Sequence, residues 1–265
     1  MILFLAFSLF TSYEEGFDPY PCDLSGDGKV YKWLYESYAD EVQIEEEYII
    51  PPLIHFIWLG SPLPPFCQTL IDTWSEHHPT WKIILWTDRD IESFGLQNKE
   101  AYEKAKNYGE KSDIFRYEIL YRYGGLYVDT DFECLKPFDE LHKSCDFYAG
   151  MNHAPVELLI GIIGSRPGHP IMKACIDRLR AGTGDHSLWR ILDATGPHHF
   201  TNTFLSEVQG GIFDRVVPFP PAYFYPMPNT VQLSGNRETL KTQYVKPESM
   251  AIHWWSVSWQ NNLPE

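Results

Sequence analysis

A chain of 265 residues, 44% hydrophobic and 22% charged, is long enough to bury a substantial core and too apolar for extended disorder. Its formal net charge of −15 repels phosphate backbones and argues against a nucleic-acid partner. With so acidic a balance, any chemistry on phosphates needs local compensation from a metal ion or a few placed cations.

The chain opens on an apolar run, Ile2 to Phe10. It is too short to span a bilayer and resembles a signal-peptide core, but no Lys or Arg precedes it. Export, membrane association through this end and a cytoplasmic location all stay open. Residues 1–50 are expected to form an N-terminal segment, acidic around Glu45-Glu46-Glu47, ahead of a domain over 51–265. Asp23 to Gly28 resembles the start of a calcium loop, but the twelfth position is Leu34 and not an acid, which excludes that reading. The five cysteines (Cys22, Cys67, Cys134, Cys145 and Cys175) form no C-x-x-C pair, so they read as scattered small apolar residues and signal no structural zinc.

After Pro51-Pro52, the apolar run Leu53 to Trp58 predicts a buried strand that Gly60-Ser61-Pro62 ends. Phe66, Leu70 and Trp74 fall on one face of a predicted helix over 66–77, and a second strand covers Trp81 to Trp86 before Thr87-Asp88 turns the chain into the next helix. Strand, helix and strand in that order predict a β-α-β start and a mostly parallel, Rossmann-like sheet with flanking helices. Ser112 reads as the N-cap of a helix to Tyr123, with Ile114, Phe115, Ile119 and Tyr123 on its buried stripe, and Gly124-Gly125 stops it. Further strands are expected over Leu126 to Thr130 and Leu158 to Ile163, and a helix over Ile171 to Ala181 ended by Gly182. The many prolines of the last third, Pro218 to Pro228 among them, predict long ordered loops.

The informative block lies at the centre. Asp129 and Asp131 are two apart, so on a strand both carboxylates point to one face, at the C-terminal end where ligands of open α/β sheets bind. Two such charges side by side call for a hard divalent ion, Mn²⁺ or Mg²⁺, that keeps positions open for phosphate. Asp113 and Arg116 share a helix face three residues apart. In a cleft, Arg116 would contact donor hydroxyls or phosphate and Asp113 would accept from sugar or ribose hydroxyls.

Asp113-x-x-Arg116, followed by Gly124-Gly125-Leu126-Tyr127-Val128-Asp129-Thr130-Asp131, resembles the DxD block of the sugar-binding glycosyltransferases. That group holds the yeast-type α-1,6-mannosyltransferases, the lactosylceramide α-1,4-galactosyltransferase and the large glucosylating toxins. Ile54-His55-Phe56-Ile57-Trp58-Leu59-Gly60 resembles the family's opening strand, and His253-Trp254-Trp255-Ser256-Val257-Ser258-Trp259 its C-terminal His-Trp segment. The resemblance implies a GT-A fold, a nucleotide-sugar donor (UDP- or GDP-sugar), a divalent metal and retention at the anomeric carbon. It implies Trp58 against the nucleotide base, and Asp113, Arg116, Tyr127 and Asp129 on the donor. Asp129, Asp131 and His253 would hold the metal, with Asp129, Asp131 and Arg116 as the catalytic set. The acceptor would be a glycan, a lipid or a protein hydroxyl. Thr195-Gly196-Pro197 resembles a family loop near the acceptor side, and Glu157 and Asp185 are candidate cleft acids.

A carbohydrate-binding or adaptor protein on the same fold is the competing reading, and the intact Asp-x-Asp argues against it. A metal-dependent phosphate hydrolase would require a denser cluster of Asp and His ligands than this sequence offers.

Overall fold

The computed structural model describes residues 26–179, 187–211, 215–231 and 236–256. The apolar run 2–10, Gly182, Asp185 and Trp259 lie outside the described residues. In chain order the elements are α1 (Gly28–Glu41), β1 (Leu53–Ile57), α2 (Pro65–His77), β2 (Lys82–Trp86), α3 (Asp88–Phe94), α4 (Lys99–Lys104), α5 (Tyr108–Tyr123), β3 (Gly125–Val128) and β4 (Phe132–Cys134). There follow α6 (Asp139–Ser144), β5 (Phe147–Met151), β6 (Leu158–Ser165), α7 (Pro170–Asp177), α8 (Leu188–Ala194), α9 (Pro197–Gly210), β7 (Val216–Phe219), α10 (Pro221–Phe224), α11 (Arg237–Tyr244) and β8 (Ala251–His253).

Six strands form the main sheet in the order β2-β1-β3-β6-β5-β7, and β4 pairs with β8 in a small second sheet. β1 runs parallel to both β2 and β3, which is the β-α-β start expected from the sequence. β6 is the reversed strand, antiparallel to β3 and β5, while β5 and β7 are again parallel. The α/β class with a mostly parallel central sheet and flanking helices, expected from the sequence, is the class observed.

The strands next to the site are buried on both faces, so they read as continuous apolar runs and not as alternating ones. Phe56, Phe115, Ile119, Val128, Phe138 and Tyr148 belong to one continuous core. Within the expected N-terminal segment, α1 joins that core. Tyr31, Leu34, Tyr35 and Tyr38 are buried, Tyr35 meets the Phe219 ring edge-on at 5.9 Å, and its hydroxyl bonds that of Tyr223 at 2.8 Å. Cys67, Cys134, Cys145 and Cys175 are free and buried, filling core space as small apolar groups.

Several expectations are corrected. The long helix α5 starts at Tyr108, because the Asn107 side chain accepts from the N–H groups of Gly109 and Glu110 and caps it one turn before Ser112. Its burial runs almost all round, through Glu110, Asp113, Arg116 and Glu118 as well as the apolar positions, so no stripe marks its start. Tyr123, expected on a buried stripe, is 40% exposed. α7 ends at Asp177, short of the expected Ala181. The last third holds α9, β7, α11 and β8 where loops were expected. Pro218 is accommodated because β7 is an edge strand, where one missing ladder donor is tolerated.

Candidate active site

The sharp turn into β3 requires glycine. Gly124 and Gly125 have φ of +62° and +96°, and a Cβ on Gly125 would lie 2.7 Å from the Leu53 carbonyl oxygen. Beneath the turn, buried His55 of β1 bonds the Gly124 carbonyl through Nε2 at 2.9 Å and accepts from the Trp86 indole through Nδ1 at 3.2 Å. The opening strand therefore fixes the turn from which the acidic pair emerges.

β3 ends at Val128, two residues before the expected Thr130. Asp129 and Asp131 converge because residues 129–132 make a turn, closed by Phe132 N–H donating to Asp129 O at 3.2 Å, and not because of strand pleat. Asp129 N–H donates to Gly161 O at 2.8 Å, which ties the first acid to β6.

Each acid has its own set of partners. Asp129 Oδ1 accepts from Arg116 Nη1 at 3.0 Å and from the Tyr127 hydroxyl at 2.6 Å. Arg116, only 4% exposed, also donates to Ile160 O at 2.8 Å, Asp113 Oδ1 at 2.8 Å and Ser112 O at 3.3 Å, with its guanidinium 4.4 Å over the Tyr127 ring. Most of its N–H groups are thus engaged within the protein, so it orients Asp129 while lining the cleft. Asp113 Oδ2 accepts from Thr195 Oγ1 at 3.0 Å, and Tyr117 OH donates to Thr195 O at 2.7 Å. These bonds anchor the Thr195-Gly196-Pro197 loop to α5.

Asp131 is held from the C-terminal side. Pairing of β4 with β8 sets Phe132 opposite His253, whose ring stacks on the Phe132 ring at 4.4 Å. His253 Nε2 lies 2.8 Å from Asp131 Oδ1, and Oδ2 accepts from Ser256 N at 2.8 Å and Ser256 Oγ at 3.0 Å. Trp255 has φ of +51°, the left-handed region that non-glycine residues seldom occupy, and Ser256 follows it onto Asp131.

The two acids consequently differ. Burial pushes Asp129 up, opposed by Arg116 and reinforced by the Asp131 charge. Burial also acts to raise Asp131, but His253 and the Ser256 bonds outweigh it and hold this carboxyl down at about 2. One oxygen or nitrogen each of Asp129, Asp131 and His253 lies within 4.8 Å of the others. Two carboxylates and an imidazole form a donor set suited to Mn²⁺ or Mg²⁺. Among the described residues His253 Nδ1 is buried without a hydrogen-bond partner, so the ring has a coordinating atom to offer if its contacts rearrange.

This cluster faces a cleft of about 1150 Å³, on the scale of a nucleotide-sugar with room for an acceptor. Trp58, Asp113, Arg116, Tyr127, Asp129, Asp131 and His253 all line it, so these seven expected site residues reach one cavity. Trp58 is half-buried just past β1, its indole N–H donating to Ser61 Oγ at 3.1 Å. Glu157, a candidate acid on spacing alone, lines the cleft between Asn152 and His198. Sequence reasoning missed Tyr225, Asn152 and the role of Ser256. Tyr225 sits among prolines with no periodicity to mark it, and Ser256 reaches the site only through β8 pairing.

Residues 64–148 match the glycosyltransferase sugar-binding region containing the DXD motif. Inositol phosphoceramide mannosyltransferase 2 of Schizosaccharomyces pombe is 29% identical over 187 residues, covering 68% of this chain and 52% of that protein. An uncharacterized glycosyltransferase of Acanthamoeba polyphaga mimivirus is 26% identical over 188 residues, covering 67% of this chain and 74% of its own length. The chain thus spans about half the length of the first fission-yeast relative. Among solved structures, the PaToxG glycosyltransferase superposes with a TM-score of 0.54 at 20% identity, over 69% of this chain and 77% of that one, a likeness of fold. The matched region contains Asp113, Arg116, Asp129 and Asp131, all of which line the cleft, so the part of the chain that carries the site is similar to the sugar-binding region of the DXD-containing glycosyltransferases.

Proposed function

We propose that this protein is a metal-dependent glycosyltransferase that moves a sugar from a UDP- or GDP-sugar to an acceptor hydroxyl with retention at the anomeric carbon. One observation carries the reading: among the described residues that line the cleft, Asp113, Asp129, Asp131 and Glu157 face a single permanent cation, Arg116, which is already bound to two of them. A diphosphate entering such a cleft needs a further positive charge beside Asp129, Asp131 and His253. A divalent ion held there supplies a Lewis acid for the negative charge that develops on the leaving nucleoside diphosphate.

The protein's own residues have separable tasks in this reading. Arg116 and Tyr127 fix one oxygen of Asp129 and leave the other toward the cleft. Ser256 and His253 hold the Asp131 carboxylate in one orientation. Preorganised in this way, the acids need no rearrangement as charge develops. Trp58 offers a flat indole face to the nucleotide base at the end of β1.

The test is a donor screen: purified protein, Mn²⁺ and each common UDP- or GDP-sugar, with released nucleotide as the readout, a chelated control and product stereochemistry by NMR. The relatives named for inositol phosphoceramide mannosylation put a mannose donor and an inositol-phosphate lipid first among the pairs to try. Asp131→Asn is expected to abolish turnover while melting near the wild-type temperature. Full activity in that variant, or in chelator, would remove the metal from the mechanism.

A further inference from the structure

The Tyr225 hydroxyl is buried, and apart from the backbone N–H of Ile162 beside it, it has no hydrogen-bond partner among the described residues; its proton has no acceptor there. Tyr225 is 1% exposed and lines the cleft. Its ring is locked edge-on against Phe132 at 5.2 Å and His253 at 5.7 Å, and lies 5.7 Å from the Trp255 ring. The hydroxyl therefore cannot easily swing out to water. A buried hydroxyl whose proton has no acceptor is unfavourable, and phenylalanine would fill the same space without that penalty.

The place this hydroxyl faces is defined by Gly161 of β6. A Cβ on Gly161 would lie 2.9 Å from Asp129 Oδ2 and 3.1 Å from the Tyr225 hydroxyl oxygen. Two oxygen atoms from different elements thus converge on the space that the absent side chain leaves open. Asp129 Oδ1 is the atom engaged by Arg116 and Tyr127, so Oδ2 is the one turned to this space. A carboxylate oxygen accepts, and a phenol both donates and accepts. The group that satisfies both is a hydroxyl, donating to Asp129 and accepting from Tyr225. A phosphate oxygen would meet the Asp129 charge, and an ammonium would leave the phenol proton unused.

We propose that Tyr225 is a donor-binding residue whose hydroxyl, together with Asp129 Oδ2, grips a hydroxyl group of the nucleotide-sugar over Gly161. The inference rests on the transferase reading above. Ribose and the transferred sugar both carry such hydroxyls.

The experiment compares the whole chain with Tyr225→Phe, in two measurements. Without ligand, the variant is expected to melt at the wild-type temperature or slightly above it, because the hydroxyl proton has no acceptor to lose. A fall of several degrees would mean that this proton is bonded within the free protein, and the proposal would be overturned. With Mn²⁺, affinity for UDP and GDP alone is measured beside turnover of UDP-glucose, UDP-galactose and GDP-mannose, with released nucleotide as the readout. A loss of about tenfold is expected, the scale of one or two hydrogen bonds. Weaker binding of the nucleoside diphosphate itself assigns the ribose hydroxyl. A loss confined to the nucleotide-sugar assigns the transferred sugar. Wild-type behaviour in both arms overturns the role of Tyr225 and leaves the transferase reading standing. A wild-type protein that responds to no nucleotide sinks the transferase reading, and this inference with it.

Discussion

Replacing Arg116 with methionine tests the site's architecture more directly than replacing either acid. The side chain is 5% exposed and pairs at 2.8 Å with Asp113, itself 8% exposed, and at 3.0 Å with Asp129, which is 31% exposed. Methionine fills much of the same volume but leaves Asp113 without its charge partner and Ile160 O without its donor. Breaking a buried pair by removing one member costs about 3–5 kcal/mol, since the Asp113 carboxyl, which burial already pushes up to about 7, is left buried without its partner and must take up a proton. The more exposed Asp129 adds little to that sum. At roughly 2–4 °C per kcal/mol for a chain of this size, the melting temperature should fall by about 6–20 °C. Arg116→Met in an Asp113→Asn background should cost less than the sum of the two single changes, with a coupling of about 1–3 kcal/mol. Urea unfolding of the four proteins of the cycle gives these values, provided that each unfolds in a single transition. Arg116→Lys keeps the charge but not the planar fork, so it should lose more in nucleotide release than in stability. Additive single changes, or an Arg116→Met protein within about 1 kcal/mol of wild type, would refute the claim that this guanidinium organises the acidic pair.

Gly125→Ala should destabilise by more than about 2 kcal/mol, since its φ of +96° strains any Cβ and that atom meets the Leu53 carbonyl; a melting curve decides it. Trp58→Ala should weaken nucleoside diphosphate binding by about five- to a hundredfold if the indole stacks on the base, with little change in melting temperature; binding by calorimetry that matches wild type would remove Trp58 from the donor site. Buried His142 is held down at about 3 by burial, against the opposing pull of the Pro51 and Ile50 carbonyls. Its folded value lies below its unfolded one, so its contribution to stability is complete above about pH 6.5 and is lost as pH falls toward 3. Between pH 6 and 4 the wild type should therefore lose up to about 1.4 kcal/mol per pH unit more than His142→Gln, and parallel stability curves for the two proteins would contradict this.

Local signals carried much of the fold and most of the site. The Thr87-Asp88 turn announced a helix start, and Asp90 does return to the Thr87 N–H at 2.8 Å. Gly124-Gly125 announced the end of a helix, and the φ values found there require glycine. What could not be read is what tertiary contacts decide. α5 is buried on nearly every side, so its start lacked amphipathic contrast and the cap fell to Asn107 in place of Ser112. The three residues of β8 form a strand because β4 is there to pair with, and prolines at an edge strand resemble loop prolines until the sheet is known. The acidic pair was identified for a partly mistaken reason, since a turn and not strand pleat brings its carboxylates together.

The turn at 129–132 shapes how the site is held together. On a strand, the two acids would be oriented by the backbone ladder, and their side chains would need little support. On a turn, each needs an external clamp, and the two clamps come from parts of the chain far apart in sequence. Arg116 of α5 holds Asp129, and the segment after β8 holds Asp131 through His253 and Ser256. The spacing of the two carboxylates is therefore set by docking of the 251–256 segment onto β4 as much as by the acidic motif itself. Loosening that segment, for instance by Ser256→Ala, should reduce nucleotide release with the acidic pair intact, and added Mn²⁺ should recover part of the loss by holding Asp131 in place of the missing hydroxyl. Measuring turnover against Mn²⁺ concentration separates this from a lost catalytic group. A shifted metal requirement with a similar plateau supports docking as the control, and a lowered plateau at every concentration rejects it.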